Sequence, residues 1–236
     1  MGRLSVVYED DVLLAADKPA GIIIHADGTD ASAPTLTDLV EEHLAAEGRP
    51  GLRPQAVQRL DRPTTGLVLI SLDRAVQPAL DAQVAGHDMH KRYLAVVSGR
   101  FPWSERDVDA PVGRDRHDAR RMRACRPGQG KPALTHVRRV EMAGGRTLLL
   151  VELGSGRKHQ IRVHLASIDF PVVGDELYGG APSEAGLLLH AWSEELAHPT
   201  SGARVHLQTA WPERLWPDRA SLVQDDGGLL RDFDLG

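Results

Sequence analysis

A chain of 236 residues with 42% hydrophobic and 26% charged residues is long enough for one large domain or two small ones, and it can bury a substantial core. No apolar run approaches the ~20 residues of a membrane span, the first residues lack the apolar core of a signal peptide, and the lone Cys125 excludes an internal disulfide and a multi-cysteine zinc site. A cytoplasmic protein is expected, with a net charge of −5 that speaks mildly against a nucleic-acid partner.

In chain order, Val6–Tyr8 and Val12–Ala16 read as short strands about the acidic turn Glu9-Asp10-Asp11. Lys18-Pro19-Ala20-Gly21 breaks the chain before Ile22-Ile23-Ile24, whose β-branched side chains predict a buried strand. A helix is expected to about Ala46, with Thr37 as its N-cap and Leu36, Leu39, Val40 and Leu44 on one face. Leu67–Ile70 reads as a second buried strand, and Asp73 as the cap of a helix over 74–85. Arg92–Val97 is a strand, followed by a long irregular connection marked by Gly99, Pro102, Pro111 and Gly113. Ala133–Met142 and Arg146–Glu152 form a hairpin about Gly144-Gly145, and His159–Ile168 has helical spacing. Gly186–His190 and Val205–Thr209 are the last strands, before a short final helix or tail. Strands that come in runs, without regular alternation with helices, predict an α+β fold with a mixed or antiparallel sheet. No repeat or linker divides the chain, so a single domain over 1–236 is expected.

The charge is unevenly spread. Residues 1–50 hold ten acids against three bases, whereas 114–139 hold nine Arg or Lys against two acids. Arg114, Arg116, Arg120, Arg121 and Arg123 therefore form a candidate footprint for a polyanion; the alternative is a solvated loop.

Three segments can carry chemistry. In Gln58-Arg59-Leu60-Asp61-Arg62-Pro63-Thr64-Thr65-Gly66, a carboxylate stands in a turn before a buried strand, between Arg59 and Arg62. Loops entering sheets often display functional groups, and flanking cations favour the ionised, nucleophilic carboxylate. By itself the segment reads more readily as a turn-capping aspartate with surface arginines. Gly154-Ser155-Gly156-Arg157-Lys158-His159 opens into a helix and gathers free N–H groups, two cations and a histidine, a plausible anion site. Arg162, on the first or second turn of that helix, is placed to reach a carboxylate. His159 and His164 are five apart and unsuited to a metal pair, so no metal is expected. In Lys91-Arg92-Tyr93, strand alternation sets Tyr93 on one face with Ala95 and Val97, either as core packing or as a ring on which a base stacks.

Together and in this order, these segments resemble the RluA-type family of pseudouridine synthases. The pattern His-Arg-Leu-Asp-x-x-Thr-Ser-Gly matches 58–66, and Lys-x-Tyr before a strand and Gly matches Lys91–Gly99. The patterns Thr-Gly-Arg-x-His-Gln-Ile-Arg-x-His-Leu and Pro-x-x-Gly-Asp-x-x-Tyr-Gly match Ser155–Leu165 and Pro171–Gly179. Asp17-Lys18-Pro19-Ala20-Gly21 and Leu189-His190-Ala191 with His198-Pro199 extend the likeness over about residues 6–210.

The resemblance implies a single catalytic domain without an N-terminal accessory RNA-binding domain, built on a mixed, largely antiparallel sheet with a cleft across it. It implies no cofactor, and RNA as the partner; a monomer is expected because the chain shows no obvious partner helix. Asp61 would be the nucleophile, Arg162 its ion-pair partner, and Tyr93 the ring under the uracil and a handler of the C5 proton. Arg59 would fill the space left by a flipped uridine, and Arg62, Lys91, Arg157, Lys158, His159 and the basic block would contact RNA. The sequence departs from the pattern at Gln58, Thr65 and Ser155. Gln58 puts a neutral amide where a tautomeric ring is usual, so this is where the chain is expected to differ from relatives. Two rivals remain: a glycoside or nucleoside hydrolase pairing Asp61 with Asp175, and a non-catalytic RNA-binding protein. A Cys125 nucleophile is remote, because no base is paired with it.

Overall fold

Strand alternation sorts the apolar residues onto two faces of one sheet. The computed structural model describes residues 4–25 and 34–216. In chain order its elements are β1 (Val6–Glu9), β2 (Leu13–Lys18), α1 (Leu36–Ala46), β3 (Gln55–Ala56), β4 (Thr65–Ser71), α2 (Gln77–Gly86), β5 (His90–Ser98), β6 (Glu105–Asp109), β7 (Val112–Arg114) and β8 (Met122–Ala124). There follow β9 (Leu134–Ala143), β10 (Arg146–Leu153), α3 (Gln160–Ser167), β11 (Leu189–Ala197) and β12 (Arg204–Gln208). The main sheet runs β1-β2-β4-β11-β5-β10-β9-β6, with β12 beside β11 and β3 beside β4, while β7 and β8 form a separate hairpin. The β4–β11 pairing is parallel and the other strand pairs are antiparallel. This is the expected α+β fold.

On the front face Leu13, Ala15, Leu67, Leu69, Tyr93, Ala95, Leu149 and Val151 pack with Leu80 of α2 and with Ile161 and Leu165 of α3. On the back, Leu14, Ala16, Val68 and Ile70 pack against α1, while Leu94, Val96, Leu148 and Leu150 meet Trp192 and Trp216. Central strands covered on both sides explain the unbroken apolar runs at 67–70 and 148–151. Among the described residues no helix is long and apolar enough to cross a membrane.

Several local expectations are corrected. Ile22-Ile23-Ile24 forms no strand: Ile23 and Ile24 lend their carbonyls to Leu36 and Thr37 at the start of α1, and Ile24 packs under that helix. The cap of α1 is Thr35 instead of Thr37; its side chain accepts from the Asp38 N–H at 3.2 Å while Asp38 accepts from the Thr35 N–H, a capping box. Asp73 caps the turn before α2, accepting from the Ala75 N–H at 2.9 Å, and the helix proper starts at Gln77. The supposed irregular connection after Gly99 contains β6, β7 and β8, whose short, polar strands carry too little alternation to be read. The strand expected at Gly186–His190 is β11, which runs on to Ala197. A final helix beyond residue 216 lies outside the described residues.

Candidate active site

The segment before β4 is tied down before it presents anything. Val57 N–H donates to the Leu69 carbonyl at 2.9 Å and Thr64 N–H to the Asp61 carbonyl at 3.0 Å, closing a turn around Asp61. The break at Lys18–Gly21 supplies its support. Gly21 N–H donates to the Arg62 carbonyl at 2.9 Å, Arg62 Nε returns a bond to the Gly21 carbonyl at 2.9 Å, and Gly21 sits at φ +87°, where glycine is favoured. Lys18 is fully buried, its ammonium donating to the carbonyls of Pro19, Ile22 and Arg62 at 3.0, 2.9 and 3.2 Å. Burial pushes this amine down to about 8, with the charges of Asp61 and Asp17 opposing the shift. Gly66 ends the turn at φ +108°, where a Cβ would lie 2.1 Å from the Ala191 carbonyl oxygen; only glycine permits the close parallel approach to β11. Thr65 keeps the hydroxyl that the family's serine would supply and shares a hydrogen bond with His190 Nδ1 at 2.8 Å.

The second segment arrives from across the sheet. Gln160 Oε1 accepts from Ser155 Oγ at 2.8 Å and from the Arg157 N–H at 3.0 Å, and its amide donates to the Leu134 carbonyl at 2.8 Å. This fastens the glycine-rich turn to β9, and a serine hydroxyl serves there as a threonine's would. Two residues on, Arg162 points into the front face. Its Nε and Nη2 donate to the two carboxylate oxygens of Asp175 at 2.7 and 2.8 Å, and its Nη1 donates to Asp61 Oδ2 at 3.0 Å. Burial works against the Arg162 charge, but the bonds and charge of Asp175, then those of Asp61, outweigh it and hold the guanidinium protonated.

His159, which the resemblance places among the residues that contact RNA, lines this cluster at φ +57°. Its Nδ1 lies 2.7 Å from Tyr178 Oη, which also accepts from the Met122 N–H at 2.8 Å, and its Nε2 is 3.7 Å from Asp61 Oδ1. A phenol that accepts from Met122 donates most simply to Nδ1, which assigns the ring hydrogen to Nε2, facing Asp61. Burial lowers the His159 pKa, so the ring is neutral near neutral pH. Tyr178 also packs its ring 5.1 Å from the Arg162 guanidinium and 5.3 Å from that of Arg121, joining the β7–β8 hairpin to the site.

Tyr93 projects from β5 on the same face and is 7% exposed. Burial, then the charges of Glu194 and Asp61, raise its phenol well above the usual tyrosine range, so the resting hydroxyl keeps its proton. Beside it, Gln58 Nε2 donates to Glu194 Oε2 at 2.6 Å. The remaining candidates spread outward. Arg59, Arg62, Lys158, Arg114 and Arg116 are exposed; Arg120 is exposed and bonded to Asp118, Arg123 is half-buried on β8, and Arg157 folds back onto the Pro132 carbonyl. Lys91 is half-buried and acts electrostatically on Glu194. Sequence reading missed Lys18, Tyr178 and Glu194 as members of the site and gave Asp175 only as a rival's second acid. Lys18, Asp175 and Tyr178 stood in motif segments, whereas nothing in the sequence marked Glu194.

A chain-wide comparison agrees with this geometry. The family model for RNA pseudouridylate synthase matches residues 12–167. The ribosomal large subunit pseudouridine synthase D of Xanthomonas campestris is 38% identical over 94% of this chain and 70% of its own length; that of Nitrosomonas europaea is 38% identical over 94% of this chain and 64% of its own. The solved structure of human RNA pseudouridylate synthase domain containing 1 superposes with a TM-score of 0.73 at 25% identity, covering 90% of this chain and 86% of that one. With Asp61, Arg162 and Tyr93 assembled on one face of such a sheet, the chain belongs to the RNA pseudouridylate synthase family, in its RluA-type branch.

Proposed function

We propose that Asp61 is the nucleophile with which this enzyme isomerises uridine to pseudouridine in structured ribosomal or transfer RNA. One observation carries the reading: Arg162 bridges two carboxylates, of which Asp175 is sealed, with a 0% exposed side chain, while that of Asp61 is 20% exposed. Asp175 spends both oxygens on Arg162 and orients it, and Asp61 keeps an oxygen free for substrate. The same difference disfavours a hydrolase, which needs a second carboxylate able to serve an attacking water.

The reaction breaks the N1–C1′ bond, rotates the uracil, joins C5 to C1′ and removes the C5 proton, with no change in redox state. Asp61 would attack the sugar or the base to allow that cleavage, and its bond to the substrate would break again before pseudouridine is released. Tyr93 would support the uracil and relay the C5 proton, its protonated hydroxyl giving its own proton to water as it takes up the one from C5. Flipping the uridine costs a few kcal/mol, and the exposed Arg59 is placed to occupy the vacated stack. The RNA backbone would lie over the β7–β8 hairpin, whose arginines border the site through Arg121 and Tyr178. The enzyme would act as a cytoplasmic monomer. Mapping pseudouridines in total RNA with and without the protein tests the substrate: a lost site names it, and no change anywhere favours a binding protein.

Tyr93→Phe should keep RNA affinity and cut turnover by about 10²-fold or more in a tritium-release assay. Wild-type rates would leave the ring only a stacking role. Replacing Arg114, Arg116 and Arg120 with glutamine should weaken RNA binding and reduce its salt slope by about 0.7–0.9 for each phosphate that is no longer neutralised. An unchanged slope would return the hairpin to a solvated loop.

A further inference from the structure

The departure at Gln58 has a partner in space. Glu194 is 2% exposed, lies on β11 opposite Lys91 of β5 and Leu207 of β12, and accepts from Gln58 Nε2 at 2.6 Å. The amide oxygen of Gln58, Oε1, and the other carboxyl oxygen of Glu194, Oε1, are both buried with no hydrogen-bond partner. Two unpaired buried acceptors on groups already joined by one hydrogen bond are costly. A single proton on the carboxyl satisfies both, since an acid and an amide close a ring of two hydrogen bonds when the acid donates to the amide oxygen.

We propose that Glu194 is a positioning residue held as the neutral acid, its proton bridging to Gln58 Oε1, and that this acid–amide clamp fixes the Asp61 turn against β11, the strand paired with the one that carries Tyr93. Gln58 is three residues from Asp61, and Glu194 is close enough to Tyr93 to act on its phenol. The polar groups facing Glu194 are Lys91 and Tyr93 from β5 and Gln58 from the turn, while β12 sets an apolar Leu207 against it. Burial raises the carboxyl pKa, with Lys91 and then the Gln58 bond opposing the shift. The neutral form, and the stability it contributes, is present at low pH and lost as pH rises through the raised value. The clamp rests on the reading of Asp61 and Tyr93 as the reacting groups, but its protonation does not.

Two measurements test it. An infrared difference spectrum between wild type and Glu194→Gln at neutral pH should show a protonated carboxyl band that the variant lacks; absence of that band overturns the proposal. Kinetics on a ribosomal and transfer RNA pool labelled with 5-tritiated uridine give the second readout. Gln58→Leu should lower kcat by about a hundredfold with a much smaller change in KM, because the turn is displaced while the basic β7–β8 hairpin is intact. Glu194→Gln, able to form the same two-bond ring, should retain most of the turnover and lose the alkaline limb of the wild-type pH profile. Wild-type kinetics in Gln58→Leu, or an alkaline limb unchanged in Glu194→Gln, would reject the clamp. A wrong nucleophile would appear separately, as turnover surviving in Asp61→Asn while the infrared band is unaffected.

Discussion

Asp61→Asn should lower pseudouridine formation by roughly 10⁴-fold or more while leaving the fold and RNA affinity nearly intact. The substitution is close to isosteric, and the asparagine oxygen can still accept from Arg162 Nη1, now 3.0 Å from Asp61 Oδ2. Arg162 also remains neutralised by the bidentate Asp175, so no buried charge is stranded. What disappears is the carboxylate oxygen that, on the proposed mechanism, would share electrons with the substrate. The assay is tritium release from RNA labelled at uridine C5, with filter binding for affinity and a thermal melt for the fold. Substantial residual turnover would reject Asp61 as nucleophile. Release of free uracil by the wild type would instead identify a hydrolase, since a synthase keeps the base attached.

Arg162→Met should affect stability and turnover together. Its guanidinium is buried between two carboxylates, and removing it leaves Asp175 fully enclosed without its cation. Breaking a buried pair from one side costs about 3–5 kcal/mol, most of it from the uncompensated charge that remains. A denaturant melt should show that loss. Combining Arg162→Met with Asp175→Asn removes the stranded charge and should restore much of the stability but none of the turnover, because Asp61 still lacks its orienting donor. Full stability in the single variant would mean that Asp175 is not held as the geometry describes. Full turnover in the double variant would show that Asp61 needs no orientation from Arg162.

The contrast between these two carboxylates also separates what was legible from what was not. Both stand in recognisable motif segments, 58–66 and 171–179. Yet a sequence does not say which acid is sealed and which is open, because exposure depends on which chain segments cover it. Tyr93 was legible to one face by strand alternation, and the front-face cluster contains it with Ala95 and Val97. Its protonation was not legible, since that follows from burial and from Glu194 and Asp61, both distant in the chain. His159 was legible as a histidine beside Arg157 and Lys158 at a helix start, but not that a left-handed backbone turn swings it inward onto Tyr178.

Residue order and type by themselves determined the α+β class, the central strands and the three candidate site segments. Periodic burial and turn chemistry are local, and they survive whatever the rest of the chain does. Local signals failed where partners were distant. The isoleucines at 22–24 are β-branched but serve the start of α1, and the short polar strands β6 to β8 are fixed by pairing and by Tyr178. Only the tertiary structure decided that Arg162 serves two acids at once, and that Gln58, a departure from the family pattern three residues before Asp61, meets a buried glutamate 136 residues away. Such couplings are set by the crossing of β4, β5 and β11 in one sheet, where distant residues come within hydrogen-bond reach.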